Sequence, residues 1–374
     1  MPVMVAGVGM TKVGSHWDKN IIDLMLEASL KALEDSNIRE LDAIVVSNMV
    51  ADWLITQSNL ASYLMDYLGI RSYGVRVESA CGSGGMGIHL GYKLVKSGAR
   101  NVLVVGVEKL TDTLTPDNTS AMMLADDWVV GFNMGSTFVS LNALALRLYL
   151  DTYKVNHEYV MMFPVICHDH AIFNPYAQFR RKITIEDVKR SPLIADPLHL
   201  LESSAYGDGA AAILLSGNKG DVEIIASEIS HDKISLSSRE NPLILKAVKE
   251  ASYKAYRSAN IAPSDIDVLE VHDAFSITGI LSLENLGFAK LGEGWKLVKN
   301  EEIRLNGTLP ANTFGGLKAR GHPVGATGVY QVAEITLQLR GEAGDNQVDG
   351  AKVGLAENIG GIGTSAIIHI LRKI

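Results

Sequence analysis

The chain has 374 residues, 47% of them hydrophobic and 20% charged, which suits a well-packed protein of two or three domains rather than a disordered one. A net charge of -8 excludes nucleic-acid binding other than through a local basic patch, and only two cysteines, Cys81 and Cys167, exclude a disulfide framework and fit a reducing compartment such as the cytoplasm. The apolar start Pro2 to Met10 lacks a basic leader and reads as a first strand, and no run is long enough to span a membrane.

In chain order, strands are predicted at Val3 to Val8, Ala43 to Asn48, Tyr73 to Val77 and Val102 to Val107, with helices between them, one of which is Ile21 to Asp35. Residues 116–204 break the alternation and read as an inserted lid, after which Ala210 to Leu215 returns the chain to the first sheet. The second half alternates again, with strands at Val222 to Ser227, Val268 to His272, Lys352 to Ala356 and Ser365 to Leu371, and helices near Pro242 to Ser258 and Gly325 to Arg340. This is an α/β pattern. It divides the chain into a first half, 1–115 with 205–219, the insertion 116–204, and a second half, 220–374.

The two halves repeat. Glu27-Ala28-Ser29-Leu30-Lys31-Ala32 recurs as Glu250-Ala251-Ser252-Tyr253-Lys254-Ala255, and Asn37-Ile38 recurs as Asn260-Ile261 at the same offset. Copies so far apart fit a duplicated domain, not a solenoid array.

Three segments carry chemistry. In Val77-Glu78-Ser79-Ala80-Cys81-Gly82-Ser83-Gly84-Gly85 a thiol stands between a strand and a helix. The dipole and free N–H groups of a helix start favour a thiolate there, while small neighbours admit a substrate backbone or thioester. The competing reading is a structural cysteine beside a Gly-rich turn. His272 stands where the strand Val268 to His272 ends, in Val271-His272-Asp273-Ala274-Phe275, and such strand ends collect chemistry in open sheets. His322 lies in the loop Gly321-His322-Pro323-Val324-Gly325-Ala326-Thr327-Gly328 directly before a helix.

Other patterns carry less. Gly7-Val8-Gly9 lacks the third glycine of a dinucleotide fingerprint, since Lys12 stands there. Cys167-His168-Asp169-His170 has no second cluster at metal-ligand spacing, so no metal is expected. Arg180, Arg181 and Lys182, with Lys189 and Arg190, form the densest basic cluster of an acidic chain. It is either a solvated face or a contact for phosphates.

Together the SACGSGG turn, the HDAF segment, the loop GGLKARGHPVGATG and the ending ENIGGIGTS resemble the thiolase superfamily, most closely the archaeal thiolases and their sterol-carrier-protein-type relatives, over essentially the whole chain. The resemblance implies a thiolase fold of two mixed five-stranded sheets in a five-layered α-β-α-β-α arrangement with an inserted loop domain. It implies acetyl-CoA C-acetyltransferase activity, joining two acetyl-CoA into acetoacetyl-CoA or the reverse, in the mevalonate pathway. A longer-chain 3-ketoacyl-CoA thiolase and a non-catalytic scaffold subunit are the alternatives. Cys81 becomes the acyl-carrying nucleophile, His322 its activator, and His272 a contributor to the thioester oxyanion site. The backbone of Gly360, with Asn358 in the same loop, falls in a second oxyanion site, and His168 falls in the substrate loop. Arg180, Arg181 and Lys182 would meet coenzyme A, which enters as substrate and not as cofactor. A homodimer or homotetramer is implied, as is a complex with hydroxymethylglutaryl-CoA synthase and a zinc-ribbon/OB-fold companion.

The chain departs from the family at the acid/base. Most members carry a second cysteine where this chain has Asn358, and some relatives carry one where it has Ala274. Because an amide cannot accept a proton near neutrality, the base is expected to be His272 or His322, with His272 the first choice. The other openings are Cys167 reaching in from the lid, or impaired condensation.

Overall fold

The computed structural model describes residues 1–374. The first half contains β1 (Met4–Met10), α1 (Ile21–Ser36), β2 (Ala43–Ser47), β3 (Tyr73–Val77), α2 (Ser83–Lys96) and β4 (Asn101–Glu108). Away from the sheet run α3 (Phe138–Tyr153) and α4 (His157–Ala171), and β5 (Gly209–Ser216) then returns. The second half contains β6 (Val222–His231), α5 (Lys246–Ala259), β7 (Val268–Glu270), α6 (Ser276–Asn285), α7 (Thr327–Arg340), β8 (Val353–Gly360) and β9 (Ser365–Lys373).

The strand order is β3-β2-β4-β5-β1-β6-β9-β8-β7. In the first half β2 runs parallel to β3 and β4, while β5 is antiparallel to β4 and β1. The second half repeats this, with β7 parallel to β8 and β9 antiparallel to β8 and β6. Where a fifth strand would pair with β7 there is one isolated parallel bridge, Leu269 to Ala311. The halves join edge to edge through only two residue pairs, Met4 with Glu223 and Val5 with Val222.

The repeat noticed in the sequence has a local cause. α1 and α5 each end in a left-handed asparagine, Asn37 at φ 50° and Asn260 at φ 55°, a conformation that asparagine tolerates better than most residues. Each helix is followed by a strand, and each covers the outer face of its own half. Leu24, Met25 and Ala28 of α1 pack on Ile44, Val46 and Val105, while Ala247, Val248 and Ala251 of α5 pack with Ile368 and Ile370. Between the halves, Ile88 and Val95 of α2 share one core with Val329, Val332 and Ala333 of α7. Helix, sheet, paired helices, sheet and helix make five layers. Each Leu, Ile, Val or Met buried in this way contributes about 1.5–3 kcal/mol, and each alanine less.

The central crossing needs two glycines. A Cβ on Gly84 of α2 would lie 2.6 Å from the Gly328 nitrogen, and one on Gly328 of α7 would lie 2.2 Å from the Gly85 nitrogen. Without side chains there the two helix starts touch. That contact brings the Cys81 turn against the His322 loop.

Candidate active site

Cys81 occupies the turn that leads from β3 into α2. The residue before it, Ala80, takes φ 52°, a strained conformation for a residue with a Cβ. Ser83 holds the turn, its hydroxyl donating to the Ala80 carbonyl at 2.6 Å and accepting the Ser79 N–H at 2.9 Å. The Ala80 N–H donates to the Glu78 carboxylate. Cys81 is only 7% exposed, and burial, reinforced by the carboxylate of Glu108, pushes its thiol up to about 12. Burial of this kind works against a resting thiolate at the helix start. The thiol needs a base.

His272 and His322 supply two imidazoles. The sulfur of Cys81 and one ring nitrogen of each lie within 4.8 Å of one another. Hydrogen-bond partners assign the protons. Nδ1 of His322 is 2.7 Å from the Thr327 hydroxyl, which itself donates to the Pro323 carbonyl, so Nδ1–H donates and Nε2 keeps a lone pair. Nδ1 of His272 is 3.2 Å from the amide nitrogen of Asn358, which donates, so Nε2 carries the proton. The two rings thus present opposite faces. Burial depresses both, helped by the charges of Arg320 and Lys318, taking His272 down to about 3 and His322 well below its ordinary value. Both are neutral. A neutral ring with its proton on Nε2 donates rather than accepts, so these contacts oppose His272 as base and favour His322.

These groups line a cavity of about 480 Å³, together with Met122, Phe138, Val139, Tyr206 and Phe275. A larger open groove of about 1500 Å³ lies beside α5, but its lining contains neither cysteine nor histidine.

Several expected residues lie elsewhere. The Asn358 side chain is not free for an oxyanion, since it donates to the Cys81 carbonyl at 3.1 Å and to His272, and accepts the Gly85 N–H at 2.8 Å. Gly360 does approach the Cys81 turn, where a Cβ on it would stand 2.2 Å from the Ser79 carbonyl. His168 is buried outside the cavity and binds the Arg181 carbonyl at 3.0 Å, holding its own segment together. Arg180, Arg181 and Lys182 are exposed and line no part of the cavity, and Arg180 caps the Ile172 carbonyl. Cys167 is buried against Asp273, 3.6 Å from its carboxylate, and does not reach Cys81.

Sequence reasoning missed Glu108. Buried at the end of β4, it accepts N–H groups from Met49 at 2.9 Å and Gly325 at 3.1 Å, and so anchors the His322 loop to the first half. Its burial raises its carboxyl to about 7. Only a charged residue ending an apolar strand run hinted at it.

Residues 3–219 match the family described as thiolase, N-terminal domain, and residues 228–373 match thiolase C-terminal domain-like. An acetyl-CoA acetyltransferase of Methanothermobacter thermautotrophicus is 42% identical, over 99% of each chain. Sterol carrier protein 2 of Rattus norvegicus is 32% identical over 99% of this chain and 72% of that one. Among solved structures, an Ltp2-ChsH2(DUF35) aldolase superposes with a TM-score of 0.87 at 22% identity, covering 100% of this chain and 98% of that one, a likeness of fold. With both halves matched and the Cys81 turn facing the His322 loop, this chain belongs to the thiolase family and is an acyltransferase.

Proposed function

We propose that the protein is an acetyl-CoA C-acetyltransferase that joins two acetyl-CoA into acetoacetyl-CoA, or cleaves it, through an acyl-Cys81 intermediate. The observation that carries this reading is the buried Cys81 thiol within 4.8 Å of two neutral imidazoles of opposite tautomer. Full-length similarity to an acetyl-CoA acetyltransferase supports the substrate.

In the first half-reaction Nε2 of His322 takes the Cys81 proton as sulfur attacks the thioester carbon. The carbonyl oxygen, becoming negative, is met by Nε2–H of His272, a preorganised donor of a kind typically worth about 3–4 kcal/mol. Collapse expels coenzyme A thiolate, which takes the proton back from His322. In the second half, the regenerated lone pair of His322 removes the α-proton of the next acetyl-CoA. The carbanion attacks the acyl carbon, the Cys81 thiolate leaves, and His322 returns the proton to it. One base serves both halves, so neither Asn358 nor Ala274 need titrate. Backbone N–H groups at Cys81 and Gly360 stabilise the oxygen of the acyl-enzyme.

Residues 116–204 act as the lid over the cavity. Arg181 and Lys182 are exposed at the surface, where coenzyme A phosphates can reach them, while Arg180, also exposed, is held by the Ile172 carbonyl. The pathway is mevalonate synthesis in the cytoplasm, and no helix is long and apolar enough to cross a membrane. A homo-oligomer in complex with hydroxymethylglutaryl-CoA synthase and a zinc-ribbon/OB-fold companion completes the reading. A second reading, a thiolase for longer 3-ketoacyl chains, is favoured by the apolar walls of the 480 Å³ cavity. Steady-state thiolysis of acetoacetyl-CoA against 3-ketohexanoyl-CoA and longer homologues separates the two. A rate for acetoacetyl-CoA at least tenfold above the others supports the acetyl reading, and the reverse order overturns it.

A further inference from the structure

We propose that Asn358 is a positioning residue that fixes the proton of His272 on Nε2, and so decides which imidazole of the site donates and which accepts. An amide side chain is often ambiguous, because its oxygen and nitrogen can exchange places. Here two backbone partners remove the ambiguity. The Gly85 N–H, which can only donate, faces Oδ1 at 2.8 Å, and the Cys81 carbonyl, which can only accept, faces Nδ2 at 3.1 Å. Flipping the amide would set oxygen against oxygen and N–H against N–H in a buried site. The group facing Nδ1 of His272 at 3.2 Å is therefore a donor, and Nδ1 must be the lone pair.

The same side chain thus links three parts of the site: the start of α2, the carbonyl of the nucleophile and the ring of His272. A carboxylate at position 358 would accept from Nδ1–H and reverse the ring. His272 would then turn a lone pair toward the substrate oxygen, where a donor is needed. The catalytic consequence rests on the thiolase reading, whereas the tautomer itself does not.

Two measurements on the full chain test this. In ¹⁵N-histidine-labelled protein at pH 7, with His272 assigned by its loss in His272→Asn, Nδ1 of His272 should show the unprotonated shift and Nε2 the protonated one. Asn358→Asp should exchange them and leave His322 unchanged, and Asn358→Ala, a fallback should the aspartate not fold, should give a mixture. A proton on Nδ1 in the unsubstituted protein, or an unchanged ring in both variants, overturns the proposal. Kinetically, Asn358→Asp and His272→Ala should each slow Cys81 acetylation by about 10²-fold or more. The double variant should be no slower than the worse single one, since both remove the same donor. Multiplying losses would make Asn358 merely structural. Absence of acetylation in the unsubstituted protein would instead defeat the proposed acyl-Cys81 function and leave the tautomer result standing.

Discussion

His272 and His322 meet edge to face, their ring centroids 5.2 Å apart and their planes at 83°, although 50 residues separate them in the chain. Two imidazoles this close and this buried cannot both be cationic. In the proposed mechanism their division of labour therefore rests on tautomers rather than on charge.

That division predicts a rescue. His272→Ala should lower both Cys81 acetylation and acetoacetyl-CoA cleavage by about 10²-fold, and His272→Asn should recover part of each, since an amide can donate but cannot act as a base. His322→Ala should lose acetylation more deeply. Single-turnover assays of both half-reactions decide: equal loss in His272→Asn and His272→Ala would restore His272 as the base.

Acetyl-CoA should add one acetyl group, on Cys81. Intact-mass and peptide mapping should show the label lost in Cys81→Ala and kept in Cys167→Ala. Because burial pushes the Cys81 thiol up to about 12, alkylation by iodoacetamide should keep accelerating above pH 9. A plateau below pH 8 would mean a resting thiolate.

Replacing Arg180, Arg181 and Lys182 together with alanine should weaken coenzyme A binding severalfold, with a larger effect at low ionic strength, as expected for exposed charges. Calorimetry at two salt concentrations measures this. Unchanged affinity at both returns the cluster to a solvated face.

Gly328→Ala should disturb the helix crossing, as its Cβ would fall 2.4 Å from Oδ1 of Asn358 and 2.2 Å from the Gly85 nitrogen. Overpacking of this kind costs about 1–3 kcal/mol. Acetylation should fall further than stability alone explains, because the Cys81 and His322 segments are pushed apart. Full acetylation activity in the folded variant would show that the contact is dispensable.

His369 is buried against α2, its Nε2 3.1 Å from the Gly85 carbonyl, and burial takes it down to about 3. The unfolded chain therefore binds that proton first, and stability present above about pH 6.5 is lost as pH falls toward 3. His369→Gln should lose less stability between pH 7 and pH 5, by about 2 kcal/mol. Urea denaturation at the two pH values checks the difference, and parallel losses in both proteins would contradict it.

The sequence by itself determined the duplicated α/β plan and the three segments that carry chemistry, because each depends on local rules. Asn37 and Asn260 end equivalent helices through their own backbone conformation, and Cys81 and His322 announce themselves through glycine-rich turns at helix starts. What only the tertiary structure decided is how those segments answer one another. Asn358 stands on β8, 277 residues from the Cys81 carbonyl and 86 from His272, and no local pattern says that its amide joins them. Glu108 likewise reaches Gly325 across 217 residues. The lone pairs and protons of a buried site are allocated by whichever groups the fold brings within 3 Å or so; for His322 that group is Thr327 in its own loop, but for His272 it comes from a distant strand.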